Sequence, residues 1–157
     1  MEFHTIEPVF DENSKILVLG SFPSVKSREA NFFYGHPRNR FWKVVSSVIG
    51  EESPVTTEEK KAFLLRNNIA VWDVIKSCDI EGSSDSSIKN VTPNNLNVIL
   101  EKADIKQIFA NGNTAYKLFL KYNSGMDAVK LPSTSPANAA FNLERLVESW
   151  SVLKKFT

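Results

Sequence analysis

Short apolar runs alternate with segments of helical period along this chain, and this alternation limits its fold more than any other feature. Four runs are predicted to be strands: Lys15 to Leu19, Ile69 to Val74, Ile105 to Ala110 and Ala128 to Leu131. Short apolar runs that end in turn residues are typical of buried parallel strands. Because parallel strands need crossover helices, the sequence predicts an α/β fold, a three-layer α/β/α sandwich with a mostly parallel four-stranded central sheet.

Apolar residues at helical spacing lie between and after these runs. The predicted helices span Phe41 to Ile49 with Gly50 as a stop, Thr57 to Asn67, Pro93 or Asn94 to Lys102, Asn113 to Tyr122, and Asn138 to Phe156. Residues 77 to 95 are polar and rich in turn formers, which predicts a long functional or covering loop around Glu81 to Ser87. Because 157 residues suffice for one self-supporting core, we expect a single domain over residues 1 to 157.

Composition excludes several classes of function. The single cysteine, Cys78, excludes an internal disulfide and a cysteine zinc cluster, and the distant His4 and His36 argue against a histidine metal site. The common phosphate-binding fingerprints and the GxSxG nucleophile motif do not occur, so we expect no metal, no cofactor and no acyl-transfer chemistry. No apolar run approaches the ~20 residues of a membrane span, and the amino-terminal residues lack the parts of a signal peptide. We therefore expect a cytoplasmic protein without a membrane partner.

Local charge differs from the overall charge. The chain has a formal net charge of +1, which excludes nucleic-acid binding through overall charge alone. Between Gly20 and Ile49, however, five basic side chains accompany one acidic side chain, and aromatic residues lie among them. A solvated loop whose aromatic rings return to the core would give this pattern, and so would a site for an unstacked base and its phosphates.

Three loops with distinctive residues follow the predicted strands. They are Gly20 to Pro23 after the first strand, Asn111 to Asn113 after the third, and Pro132 to Ala137 after the fourth. Ligands of such sheets bind beyond the carboxyl ends of the strands, so we expect these loops to surround one site.

The segments LVLGSFPSVKS, FFYGHPRNRFWKVV and LPSTSPANAA, in this order, carry a family resemblance. The chain resembles the uracil-DNA glycosylase superfamily over residues 15 to 157, in particular its hypoxanthine-DNA glycosylase branch. AVWDVI and IFANGNTAYKLF resemble the middle segments of that family. The resemblance implies a monofunctional DNA-repair glycosylase, a monomer, that flips a deaminated base out of double-stranded or single-stranded DNA. It would hydrolyse the N-glycosidic bond and leave an abasic site.

The resemblance also implies roles for individual residues. Phe22 stands where related mismatch-specific enzymes have an asparagine that positions water, and Asn39 is the amide that takes over the catalytic role. A cap on the following helix is the alternative role of Asn39. The residues expected to bind the base are Gly20, Ser21, Phe22, Tyr34 and Asn111, with Phe22 and Tyr34 as stacking faces.

A further set is expected to bind DNA phosphates through hydroxyls, amides and positive charges. Its members are Arg38, Arg40, Lys43, Ser133, Thr134, Ser135 and Asn138. Ser133 to Ser135 are expected to act with the amino terminus of the last helix, and an ordinary turn and cap is the alternative interpretation of this segment.

The base itself is harder to predict. Hypoxanthine and uracil both present a carbonyl beside a ring N–H, which one amide can bind. Phe22 and the PSTSPAN segment favour hypoxanthine. A uracil or mismatch-specific glycosylase and a non-catalytic damage-sensing DNA-binding module are the alternatives, and a nucleoside hydrolase is a third.

Overall fold

The computed structural model describes residues 1–4 and 6–157. The strands are β1 (Glu2–Phe3), β2 (Ile16–Gly20), β3 (Ile69–Asp73), β4 (Ile75–Asp79), β5 (Lys89–Pro93), β6 (Gln107–Asn111) and β7 (Val129–Leu131). The α-helices are α1 (Val25–Ala30), α2 (Phe41–Ile49), α3 (Thr57–Arg66), α4 (Asn97–Leu100), α5 (Asn113–Tyr122) and α6 (Leu143–Trp150). Short 3₁₀ turns span Asp85–Ser87 and Ser151–Lys155.

The central sheet has the order β3-β2-β6-β7 among the described residues, and all of its neighbouring strands are parallel. All five residues of β2 are buried, as are those of β3, which is typical of strands covered on both faces. The predicted α/β fold with a parallel four-stranded sheet is therefore confirmed. After β2 the chain places β3 on one side of this strand and β6 and β7 on the other. The loops after β2 and β6 therefore flank a crevice at the carboxyl edge of the sheet.

A second, antiparallel sheet with the order β1-β4-β5 includes two parts of the loop predicted at residues 77 to 95. The predicted loop around Glu81 to Ser87 connects β4 and β5 and is called the hairpin tip below. The strands on either side of this loop were not predicted, because most side chains of β4 and β5 are at least partly exposed and their sequence is as polar as that of a loop. The chain enters β4 directly after β3, and Val74 N–H and Ile75 N–H donate to the carbonyls of Gly20 and Ser21. The hairpin tip also lies close to the loop that follows β2, because Ser21 Oγ donates to Asp85 Oδ1.

The last helix is shorter than predicted. It begins at Leu143, where the Asn142 side chain accepts a hydrogen bond from Arg145 N–H. The chain before it forms turns instead, because carbonyls that a helix would use are hydrogen-bonded to the side chain of Arg40. α4 is also shorter than predicted, since Lys89–Pro93 pairs with β4. α1, capped by the Ser24 side chain, was not predicted.

The core fixes the segment that leads into α2. Phe41 is fully buried and packs edge-to-face on Trp150 of α6, with ring centroids 5.9 Å apart. Val44 and Val45 of α2 are also fully buried. The residues immediately before Phe41 are thus anchored to the core on one side and lie near the carboxyl edge of the sheet on the other. Within the described residues, none of the helices has the length and apolar character to cross a membrane.

Candidate active site

A cavity of about 310 Å³ opens at the carboxyl edge of the sheet. This volume lies within the range of pockets that hold small ligands. The three predicted loops contribute to it together with the segment before α2 and the hairpin tip, so the expected single site is formed. The lining residues that bear on its chemistry are Gly20, Ser21, Phe22, Tyr34, Asn39, Asp73, Asp85, Asn111 and Ser135.

The loop after β2 forms one wall. A Cβ atom on Gly20 would lie 2.6 Å from Asp73 Oδ1, so only glycine lets this backbone approach the carboxyl. Ser21 Oγ donates to Asp85 Oδ1 at 3.1 Å, which ties the wall to the hairpin tip. The Phe22 ring packs edge-on against the ring of His4. These contacts place an apolar ring and a hydroxyl on the same side of the cavity.

Tyr34 lies in the cavity lining in a strained conformation. Its φ of 52° is in the left-handed region, which bulky residues rarely adopt. Its ring stacks on Phe41 at a centroid distance of 4.0 Å. Burial of the hydroxyl, and the nearby carboxyl of Asp73, raise the pKa of Tyr34 above its ordinary value. The tyrosine is therefore neutral and held rigidly.

The side-chain amide of Asn39 is oriented by two hydrogen bonds. Its Oδ1 accepts from Phe41 N–H at 2.9 Å and from the Thr134 hydroxyl at 2.8 Å. Because a backbone N–H can only donate, the atom that receives it must be the amide oxygen. The Nδ2 group, which neither bond uses, belongs to a residue that lines the cavity. The Asn39 oxygen thus supports the start of α2, and neither of these two bonds uses the N–H groups of its amide.

Thr134 links two amides and is fully buried. Asn111 Oδ1 accepts from Thr134 N–H, and Asn111 Nδ2 donates to Thr134 Oγ1, both at 3.0 Å. The expected phosphate contact of Thr134 does not fit this geometry, because its hydroxyl is enclosed and donates its proton to Asn39 Oδ1. Thr134 instead orients Asn39, and Asn111 holds Thr134.

Arg40 binds the loop after β7. Its guanidinium donates to the carbonyl oxygens of Phe141, Ser135 and Asn138. Its backbone N–H also donates to Thr134 O. The expected phosphate contact of Arg40 does not fit this geometry, because the guanidinium is directed at main-chain carbonyls. Arg40 holds the loop in place.

Other residues expected to contact DNA fall into two groups. Arg38 and Lys43 are exposed. Ser133 Oγ accepts from Ser135 N–H, and Asn138 Nδ2 donates to Ser133 O, so these groups stabilise the turns of their own loop. The expected helix amino terminus beside Ser133 to Ser135 is wrong, because α6 begins only at Leu143. Ser135 does line the cavity.

Asp73 was missed by sequence reasoning. It ends β3, is 3% exposed and lines the cavity. Burial raises the pKa of this carboxyl to about 7. Its Oδ2 has no hydrogen-bond partner among the described residues. His4 Nε2 lies 3.8 Å away, but it contacts Ile75 O at 3.0 Å, and burial lowers the pKa of the imidazole. His4 is thus neutral near pH 7 and does not balance the carboxylate charge.

Asp85, on the hairpin tip, is a second carboxyl in the lining that was missed. Partial burial of the carboxyl raises its pKa, and the hydrogen bond from Ser21 opposes this effect. Asp73 had a usable signal, since it lies next to last in the strand predicted from Ile69 to Val74, near the carboxyl edge of the sheet. Asp85 had none, because its serine-rich surroundings resemble any surface turn. No group of three or more His, Cys, Asp or Glu side chains that could hold a metal occurs in residues 1–4 and 6–157.

The cavity lies at the switch point of a parallel α/β sheet. Its lining of aromatic rings, amides and carboxyls is suited to binding a flat polar ring. The chain belongs to the Uracil DNA glycosylase superfamily, whose family model matches residues 7–154. It is accordingly a DNA N-glycosylase.

Individual relatives agree with this assignment. The chain is 38% identical over 150 residues to a hypoxanthine DNA glycosylase of Methanosarcina acetivorans, covering 93% of this chain and 94% of the relative. It is 36% identical over 135 residues to a hypoxanthine DNA glycosylase of Methanosarcina barkeri, covering 83% and 85%. A solution NMR structure from Methanosarcina acetivorans, provisionally described as a uracil DNA glycosylase, matches with a TM-score of 0.78 and 34% identity over 96% of this chain and 98% of that one.

Proposed function

We propose that this chain removes hypoxanthine from DNA, with residues 1 to 157 acting as one domain. It binds double-stranded or single-stranded DNA, turns the deaminated nucleotide into the cavity and hydrolyses the N-glycosidic bond, leaving an abasic site. The activity in the names of its relatives supports the choice of base. The observation that carries the proposal is the Asn39 amide, whose oxygen is fixed by two donors and whose N–H groups remain for a ligand.

The chemistry follows from this orientation. When the N-glycosidic bond breaks, negative charge develops on the departing base and positive charge on the sugar. A preorganised donor near the base stabilises that negative charge, because the donor needs no reorganisation during the reaction. With Oδ1 already bonded to Phe41 N–H and Thr134, Asn39 acts through its Nδ2–H₂ donors. It therefore stabilises the base or holds the oxygen of the attacking water, and does not remove a proton.

Two aromatic rings in the lining offset the cost of extruding the base. Unstacking and unpairing a nucleotide costs a few kcal/mol, and stacking in the pocket recovers part of it. Tyr34, held on Phe41, and Phe22, held against His4, are the proposed contacts. No lysine lines the cavity within the described residues, which supports hydrolysis without a covalent intermediate. Gly20, Ser21 and Asn111 shape the remaining walls.

DNA phosphates are proposed to contact the exposed cations before and on α2. Arg38 and Lys43 flank Asn39 in sequence and are free of the structural role that Arg40 has. Ser135 contributes a hydroxyl at the cavity edge. Ser133 and Asn138 act indirectly, because they maintain the turn that carries Ser135.

The test is single-turnover base release from matched duplexes that contain hypoxanthine, uracil, xanthine or ethenocytosine. Assays run with EDTA present, since no step of the proposal uses a metal. We expect hypoxanthine to be released fastest, with equal rates with and without EDTA. Tight binding without release of any base would contradict the proposal and favour a damage-sensing module.

Two substitutions at Asn39 separate its roles. Asn39→Ala removes the donors and the support of α2, so it should lose about 10²-fold or more in rate and about 1 kcal/mol in stability. Asn39→Asp is the matched control, because it keeps an oxygen for Phe41 N–H and Thr134 but has no N–H donor. It should lose the rate and retain more stability. An active Asn39→Asp enzyme would refute the donor role.

A further inference from the structure

Asp73 is a buried group that the proposed reaction does not use. It is 3% exposed, lies at the end of β3 in the cavity lining, and its Oδ2 has no hydrogen-bond partner among the described residues. A buried polar group without a partner is costly and rare in folded proteins. Such a carboxyl in a ligand cavity indicates that the ligand itself supplies the missing donor.

We propose that Asp73 determines base specificity by accepting a hydrogen bond from the ring N–H that stands beside a carbonyl in a deaminated base. This inference rests on the proposed function and deepens it. The chemical feature that it assigns to the ligand is a lactam, in which one ring atom donates and the neighbouring oxygen accepts.

The position of Asp73 selects the edge of the base that it meets. A flipped nucleotide stays attached to the DNA backbone, so its sugar remains near the cavity mouth and its ring enters first. Asp73 is almost fully enclosed and lies against Gly20, where a Cβ would approach its Oδ1 to 2.6 Å. A group at this depth meets the edge farthest from the glycosidic bond. In hypoxanthine that edge carries N1–H and the C6 carbonyl.

The two polar groups of the cavity are complementary to this edge. An ionised Asp73 only accepts, whereas Asn39 presents donors because its Oδ1 is already bonded. The N1–H of hypoxanthine then donates to Asp73, and its C6 carbonyl can accept a hydrogen bond from a donor. Adenine reverses the pattern, since its N1 is a lone pair and its C6 carries an amino group. The lone pair would face a carboxylate oxygen, so the parent base is rejected.

Among the described residues, no group around Asp73 makes a hydrogen bond to its Oδ2. His4 Nε2 is 3.8 Å from Asp73 Oδ2 and contacts the Ile75 carbonyl at 3.0 Å. The Tyr34 hydroxyl is buried nearby but makes no hydrogen bond to the Asp73 carboxyl within the residues described. The Asn94 side chain donates to the main-chain carbonyl of Asp73 and not to its carboxyl. Asp73 is therefore positioned through its main chain, and its Oδ2 remains without a donor.

The test compares release of hypoxanthine with release of unsubstituted purine, which has neither N1–H nor the C6 carbonyl. Single-turnover rates are measured at pH 8.5, where a carboxyl with a pKa of about 7 is ionised. Wild type should release hypoxanthine at least about 10²-fold faster than purine, because purine leaves the buried Asp73 carboxylate without a hydrogen-bond donor. A wild-type ratio near one would overturn the inference without any variant.

Variants at Asp73 complete the test. Asp73→Ala should reduce that ratio to below about 10-fold by slowing hypoxanthine release alone, and Asp73→Asn, which keeps an acceptor oxygen, should retain most of it. Thermal unfolding on the same preparations confirms that each variant is folded. Equal slowing of both substrates in Asp73→Ala would show a structural role and refute the inference. Failure of wild type to release hypoxanthine would instead refute the proposed function, so the two failures are distinguishable.

Discussion

Replacing Asp73 with asparagine should stabilise the protein at pH 8 and leave its stability almost unchanged at pH 4. The reason is that burial raises the pKa of this carboxyl from 3.8 to about 7. The folded protein therefore holds the proton more tightly than the unfolded chain does. Above pH 7 the carboxyl is ionised in both states, and the folded state bears the cost of a buried charge. The neutral amide of similar shape does not bear that cost.

The magnitude follows from the two pKa values. One pKa unit corresponds to about 1.4 kcal/mol, so a difference of about three units corresponds to about 4 kcal/mol of unfolding free energy. Between pH 4 and pH 7 the folded state binds more protons than the unfolded state. The contribution of Asp73 to the unfolding free energy thus falls as pH rises through this window. It is fully unfavourable above the folded pKa and absent below the unfolded one.

Urea unfolding of wild type and Asp73→Asn at half-unit steps from pH 4 to pH 8 measures this difference directly. Taking the difference cancels the contributions of other carboxyls, such as Glu51 and Asp79, whose pKa values are lowered. Asp104→Asn is the matched control, since the Asp104 side chain is 84% exposed and the change should stay within about 0.5 kcal/mol. A difference between wild type and Asp73→Asn that does not vary with pH would refute the reasoning.

Three further variants test the architecture of the site. Gly20→Ala places a Cβ 2.6 Å from Asp73 Oδ1. It should lower the free energy of unfolding by about 1–3 kcal/mol and slow base release. Wild-type values of both quantities would contradict the close approach. Arg40→Ala leaves three main-chain carbonyls without their donor. It should speed amide hydrogen exchange in residues 133 to 141. Unchanged exchange would show that Arg40 does not hold this loop in place. Joint replacement of Arg38 and Lys43 by alanine should leave the protein folded. The slope of the logarithm of DNA affinity against the logarithm of salt concentration should decrease in magnitude by about 2. An unchanged slope would show that the two side chains do not contact phosphates.

The location of the site could be predicted from the sequence because it depends on strand order. Gly20 and Asn111 end or follow apolar runs, and parallel strands bring their carboxyl ends to one edge. Phe22, Tyr34 and Asn39 lie in the cavity lining for the same topological reason, since their segments leave that edge or return to it.

The partners of polar side chains could not be predicted in the same way. Thr134 and Ser135 are adjacent hydroxyls with similar propensities, yet one is fully buried and the other lines the cavity. Arg40 reaches a carbonyl 101 residues away in sequence, and local composition contains no signal for such a contact. Asp73 directly follows a tryptophan in an apolar run, and only the tertiary packing shows that its carboxyl is enclosed.

The Asn39–Thr134–Asn111 chain limits how this site can change during evolution. Each hydrogen bond has one possible direction, because main-chain N–H groups of Phe41 and Thr134 fix the two amide oxygens. Removing the hydrogen-bonding atoms of any one member leaves another with an unmatched donor or acceptor beside the buried Thr134. Single substitutions are thus penalised, whereas a joint replacement that restores the matching is tolerated. We expect the three positions to covary among homologues and to require simultaneous redesign in any engineered glycosylase built on this scaffold.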